Sequence, residues 1–327
     1  MSKKKLTNKK NTLENIMKKV HLENSYEDWV RNFSLNLNNI WKESSGRDLT
    51  PTNSQFEKGK QSAIVIGAGP SVSKHNHLEI LANSDYKGMI ICTDRSLVPA
   101  LKAGITPEKF PKYFVVTIDT AKIIRKYYED PIIRKYGSKI NGIFTTVIHP
   151  LTIEAARNKG IKIHWIHALF DYNEGKKSFN QMSSLMVRVK KHHEGLPAIQ
   201  TGGNVGTSCW FIAWQILKCN VVTLIGINHS WDENDPWESI LSHCNAPKRM
   251  NKNSSLFKQL FPKVHNPEFN CNCILDPIFQ YYSNALKEFI LRSPPSVKTI
   301  NATEGGCIFG ERVICKKFSE FLLEYKV

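Results

Sequence analysis

The 327-residue sequence has no run approaching the ~18–20 consecutive apolar residues that a membrane span requires. Polar residues follow the charged start Met1-Ser2-Lys3-Lys4-Lys5, where a secretory signal would carry its apolar core, so a cytoplasmic protein is expected. The eight cysteines form no disulfide framework. Cys92 and Cys219 lie in or beside apolar runs, as reduced buried thiols do. A metal cluster of His243, Cys244, His265, Cys271 and Cys273 is conceivable, but C-x-C is not the C-x₂₋₄-C spacing of common zinc sites. Internal repeats are lacking. So are zinc fingers, RNP-like sequences and basic regions followed by heptads, and nucleic acid is not an expected partner.

Acidic residues are scarce: 29 against 45 Lys and Arg, a formal net charge of +16. Seven of the lysines fall in the first twenty residues. Residues 1–11 therefore read as a solvated basic tail, expected to be disordered and dispensable for chemistry. Residues 12–59 read as an N-terminal helical segment and linker. Leu13, Ile16, Met17 and Val20 follow helical spacing, and Tyr26–Trp41 carries a longer stripe at i, i+3, i+4, i+7. Ser44 to Gly59 has the Gly, Pro and Asn of a linker.

From residue 60 to 327 the pattern is that of one α/β domain. Short apolar runs begin near residues 63, 89, 113, 142, 161 and 221, and helical stretches separate them. Such alternation implies a mostly parallel sheet with helices on both faces, a Rossmann-like architecture. Asp171 to Ser178 reads as a loop near the mouth of the site. Pro247 to Cys273 reads as a lid or insertion. Val297 to Ile300 reads as an edge strand, and Cys315 to Tyr325 as a closing helix.

Five features carry chemistry. The first strand runs into Gly67-Ala68-Gly69-Pro70-Ser71. There Gly67 and Gly69 would let the backbone approach a phosphate, and Ser71 would add a hydroxyl. Val72 stands where the full G-x-G-x-x-G pattern has its third glycine, so a purely structural turn is the competing reading. Asp94 ends the second strand 25 residues after Gly69, in reach of a ribose or as a helix cap. Asp119 ends the third strand and could hold Mg²⁺. Thr201-Gly202-Gly203-Asn204 opens a second glycine turn leading into a helix, a second place for an anion. His229, after the strand Val221–Ile225, and His243 beyond it are candidates for acid–base work.

Together, Ala63–Ser71, Phe114–Asp119, Thr201–Val205, Leu224–Gly226 and Asn301–Gly306 resemble the 6-hydroxymethylpterin diphosphokinase MptE-like family over most of residues 60–312. Its domain also occurs in the Maf motility accessory factors, which glycosylate flagellin. The resemblance implies a nucleotide-dependent transferase taking a nucleotide and a small-molecule acceptor. The leading expectation is Mg²⁺-dependent transfer of diphosphate from ATP to 6-hydroxymethyl-7,8-dihydropterin or a related hydroxyl. The alternative is a glycosyltransferase using a CMP-sugar of the nonulosonic acid type, and a third possibility is nucleotide binding without turnover. One departure stands out: Asn228 occupies a position where the resemblance leads to an expectation of Asp.

Overall fold

A computed structural model describes residues 27–51, 61–169, 178–190, 193–247 and 250–325. The basic tail, the Leu13–Val20 spacing and nearly all of the Asp171–Ser178 loop lie outside these residues. The strands are β1 (Ser44–Ser45), β2 (Ser62–Ile66), β3 (Met89–Thr93), β4 (Tyr113–Thr117), β5 (Asn141–Thr145), β6 (Lys162–Ala168), β7 (Ala198–Ile199), β8 (Val221–Ile225), β9 (Trp231–Asp232), β10 (Lys263–Asn266), β11 (Cys271–Ile274), β12 (Lys298–Asn301) and β13 (Val313–Cys315). The helices are α1 (27–42), α2 (Ser71–Lys74), α3 (His77–Ala82), α4 (Asp94–Lys102), α5 (Pro131–Tyr136), α6 (Pro150–Asn158), α7 (Phe179–Arg188), α8 (Val205–Gln215), α9 (Trp237–His243), α10 (Ser255–Leu260), α11 (Pro277–Arg292) and α12 (Phe318–Glu324).

The main sheet runs β1-β6-β5-β4-β3-β2-β8-β12-β13, with β7 beside β6, and its pairings are parallel. This is the Rossmann-like α/β class. Strands buried on both faces are mostly apolar, which is why they read as near-continuous runs. Ile64 and Ile66 of β2 join one core cluster with Leu97, Ala100, Phe318 and Phe321. Ala63 and Val65 face the other, built around Trp210, Ala213 and Ile290 of α8 and α11.

Helix α1 carries Trp29, Phe33 and Ile40 into the core. It also caps two loops at the carboxyl edge. Asn32 Nδ2 donates to the carbonyls of Thr120 and Val147, and Asn36 Nδ2 to those of Thr146 and Ile148.

Four segments differ from expectation. The start of the expected linker is part of the sheet, because Ser44 and Ser45 pair with His164 and Trp165. Pro247 to Cys273 is largely organised: β9, β10 and β11 form an antiparallel sheet over a small core of Ile240, Phe257, Phe261 and Ile274. Its apolar residues are too widely spaced for a period to register in the sequence. The expected edge strand is β12, an interior strand between β8 and β13, while Cys315 belongs to β13 rather than to the closing helix.

Candidate functional site

In strand order β2 is followed on one side by β3 and on the other by β8, a topological switch point. In open parallel sheets the ligand crevice lies at the carboxyl ends of such strands. The loops after β2, β8 and β12 meet there.

The first glycine turn is locked to the loop after β8. Gly67 N–H donates to Ile225 O at 2.8 Å, and Gly69 N–H to Gly226 O at 2.9 Å. Ser71 Oγ donates to Asn228 Oδ1 at 2.9 Å. The donors expected to face a phosphate are thus already engaged within the protein. The space is also taken: a side chain on Gly67 would strike Gly226 O, and one on Gly69 would strike Asn228 Oδ1 and Gly226 O. The loop after β12 closes the other side, with Cys307 N–H donating to Asn228 O at 2.9 Å. Replacing Asn228 by Ala is expected to cost about 1–3 kcal/mol, since the buried Ser71 hydroxyl would lose its acceptor. Urea unfolding checks this; an unchanged midpoint would show the bond to be dispensable.

The second glycine turn leads into α8, whose eleven residues give it a substantial dipole. Gly202 and Gly203 have φ of 56° and 82°, left-handed values natural to glycine. Asn204 caps the helix by accepting from Thr207 N–H at 2.9 Å. The preceding first-turn amides, those of Val205 and Gly206, have no intrahelical acceptor and suit an anion.

His229 Nε2 lies 3.3 Å from the same Asn204 Oδ1. An amide oxygen only accepts, so Nε2 carries the proton and Nδ1 is left as a buried acceptor without a partner. Burial, with Lys287 nearby, pushes the imidazole down to about 3, so His229 is neutral at physiological pH. It serves there as a hydrogen-bonding group. Lys287 is half-buried, its ammonium 4.6 Å from the Phe309 ring centre.

Asp94 and Asp119 stand at the ends of neighbouring strands. Asp94 opens α4, is 5% exposed and accepts from Arg95 N–H at 2.7 Å. Burial pushes its carboxyl up to about 7, and Asp119 adds to the rise. Asp119 is exposed, and its Oδ1 accepts from Ala121 N–H at 2.9 Å. Tyr282 of α11 links the groups. Its ring is 5.8 Å from that of His229, and burial together with Asp119 and Asp276 pushes its phenol up to about 12.

His243 closes α9 in the small module. Its Nδ1 lies 2.6 Å from Asp276 Oδ2, which also accepts from Trp231 Nε1 at 2.8 Å. Asp276 is fully buried, and its Oδ1 caps α11 through Phe279 N–H at 2.8 Å. Among the described residues, no group of three or more His, Cys, Asp or Glu side chains is arranged to hold a metal ion.

Asn228, Asp276, Tyr282 and Lys287 escaped the sequence analysis as site residues. Asp276-Pro277 did carry a signal, an N-cap followed by proline at the first helical position. Asn228, in the loop after β8, carried one only as the departure from an expected Asp; Tyr282 and Lys287 lack one, because only the packing of α11 on the sheet edge brings them in.

Residues 31–234 match the family described as 6-hydroxymethylpterin diphosphokinase MptE-like. No curated protein matches the chain. Among solved structures, that of the MAf glycosyltransferase from Magnetospirillum magneticum AMB-1 is similar, with a TM-score of 0.51 and 14% identity over 86% of this chain. The chain spans only 38% of that protein's length, and the likeness is one of fold.

Proposed function

The chain belongs to the 6-hydroxymethylpterin diphosphokinase MptE-like family, and from that premise we propose that it is a nucleotide-dependent transferase whose donor lies across the β2–β8 crevice. The observation that carries this reading is the neutral His229 bonded to Asn204 at the N-terminus of α8, with the half-buried Lys287 near that imidazole. The amides of Val205 and Gly206 and the ammonium would hold a donor phosphate, and His229 Nδ1 would accept from a hydroxyl of the donor. As the bond to the leaving nucleotide breaks, charge grows on its phosphate, and the same groups stabilise it.

The donor favoured here is a nucleotide-activated sugar, with the nucleotide as leaving group. Asn228 brings no charge, Asp94 is buried and held near neutrality, and Asp232 is paired with Lys74, which leaves Asp119 as the exposed, unpaired carboxylate among those named at these strand ends. A donor leaving with a single phosphate suits so sparse an anionic environment. The family description supports a second reading, diphosphate transfer from ATP to a pterin hydroxymethyl group. Asp119 fits the Mg²⁺ this would use, because one carboxylate plus phosphate oxygens is a common way of holding that ion. Bound there, Mg²⁺ would neutralise polyphosphate charge.

The nucleotide products separate the two readings. With a CMP-activated nonulosonic acid, the protein is expected to release CMP and leave ATP intact. AMP formed in step with a pterin diphosphate, from ATP, Mg²⁺ and 6-hydroxymethyl-7,8-dihydropterin, would instead establish the diphosphokinase. Absence of both products would overturn these two donor assignments.

A further inference from the structure

His243 is held more tightly than a surface histidine needs to be. Its ring centre is 4.7 Å from that of Phe279 and 5.5 Å from that of Trp231, which meets it edge-on. The Asp276 oxygen beside Nδ1 belongs to a fully buried carboxylate whose other oxygen caps α11. A carboxylate accepts and does not donate, so Nδ1 bears a proton, and in the neutral ring the lone pair is on Nε2. No hydrogen bond engages Nε2 among the described residues, and the side chain is 33% exposed. A run of ring contacts also connects it to the crevice. Trp231 is three residues beyond Asn228, and Phe279 leads through Tyr282 to His229, with ring centres 6.3 and 5.8 Å apart.

We propose that Asp276 is a positioning residue that fixes His243 with Nε2 unprotonated, so that Nε2 takes the proton of the acceptor hydroxyl during transfer. This rests on the transferase reading above. As the hydroxyl oxygen bonds to the sugar carbon, the bond from that carbon to the donor phosphate breaks and its electron pair leaves with the nucleotide. The hydroxyl proton passes to Nε2, and the imidazolium keeps its Nδ1–H on Asp276 until it returns a proton to water. The buried carboxylate stabilises that cation without being protonated. Capping alone would explain one Asp276 oxygen; it leaves unexplained why the other engages both an indole and an imidazole.

The variant Asp276→Asn tests the assignment, because an amide keeps the oxygen that caps α11 and turns an NH₂ toward His243, giving up the acceptor of the Trp231 indole N–H. That group donates to Nδ1 and forces the proton onto Nε2. Long-range ¹H–¹⁵N correlation spectra of the whole protein are expected to show the Nδ1–H tautomer of His243 in the wild type and the Nε2–H tautomer in the variant. With the donor identified by the product assay, kcat is expected to fall roughly 10²–10⁴-fold while KM for the donor moves less than about threefold. His243→Gln should lose as much, and the double variant no more than either. A wild-type Nε2–H tautomer would overturn the proposal, as would an Asp276→Asn kcat within about threefold of wild type. Should that variant not fold, the wild-type tautomer and the kinetics of His243→Gln still decide. The spectra require no turnover, so an inactive wild-type protein would count against the transferase reading and not against the tautomer.

Discussion

Replacing Gly67 by valine is expected to destabilise the domain strongly, by prising the first glycine turn from the loop after β8. A Cβ there would stand 2.3 Å from Gly226 O and 2.8 Å from Gly226 C, backbone atoms that cannot turn aside as a side chain can. Gly226 has little room to retreat. It sits at φ 68°, and a Cβ on it would itself meet Val72 Cγ2 at 2.4 Å. Separating the two loops would break the bonds from Gly67 N–H to Ile225 O and from Gly69 N–H to Gly226 O. Overpacking of side chains alone costs about 1–3 kcal/mol. With two backbone bonds also lost, at about 1 kcal/mol each, the total should exceed about 3 kcal/mol. That is a large share of the roughly 5–15 kcal/mol that holds a domain together. Gly305→Ala is the control, because nothing lies within 4 Å of its added methyl group and its φ is outside the left-handed region. It should stay within about 0.5 kcal/mol of wild type. Circular dichroism and thermal melts check both, and a Gly67→Val protein melting with the wild type would dissolve the interlock.

Asp94→Asn is expected to stabilise the protein, and increasingly so as the pH rises. The folded carboxyl titrates near 7, against 3.8 for the ordinary side chain, because burial disfavours its charge. Below about pH 3.8 both states hold the proton and burial of the acid carries no charge penalty. Between there and about 7 the unfolded chain releases its proton while the folded one keeps it, so stability declines with rising pH. Above about 7 both are ionised and the full penalty stands. The gap between those two titration points corresponds to about 4 kcal/mol at most. The amide carries no charge, and its oxygen can still accept from Arg95 N–H. The advantage of the variant should therefore grow from about 1–2 kcal/mol at pH 5 toward about 4 kcal/mol at pH 8. His229 acts in the opposite sense. Its depressed value protects the fold above about 6.5 and is lost as the unfolded chain gains a proton below that pH. The difference between variant and wild type cancels that contribution. Urea titrations at the two pH values give the result, and an advantage independent of pH would mean that Asp94 is not the buried acid described.

The same two residues show what was legible in advance. The strands before Gly67 and Asp94 announced themselves as near-continuous apolar runs, since a strand covered on both faces is mostly apolar. Parallel strands then put the loop after each one at the same edge, so Gly67–Ser71, Asp94, Asp119 and His229 were candidates on one rim from their places at strand ends alone. The family resemblance followed from those same loops, and the match over residues 31–234 agrees with it.

What the loops do there was decided by distant partners. The first glycine turn reads as a phosphate cradle until Gly226 and Asn228, more than 150 residues away, occupy its amides and its space. His229 reads as an acid–base group until burial beside Asn204 and Lys287 keeps it neutral. His243 reads as an acid–base candidate without a partner, and Asp276, 33 residues later, gives it an orientation. Periodicity and turn chemistry are local, so the sequence determined most of the main-sheet elements, their order and the edge at which a parallel sheet places its loops. Burial, hydrogen-bond occupancy and proton affinity depend on which loops are pressed together across that edge, and these only the packed structure could decide.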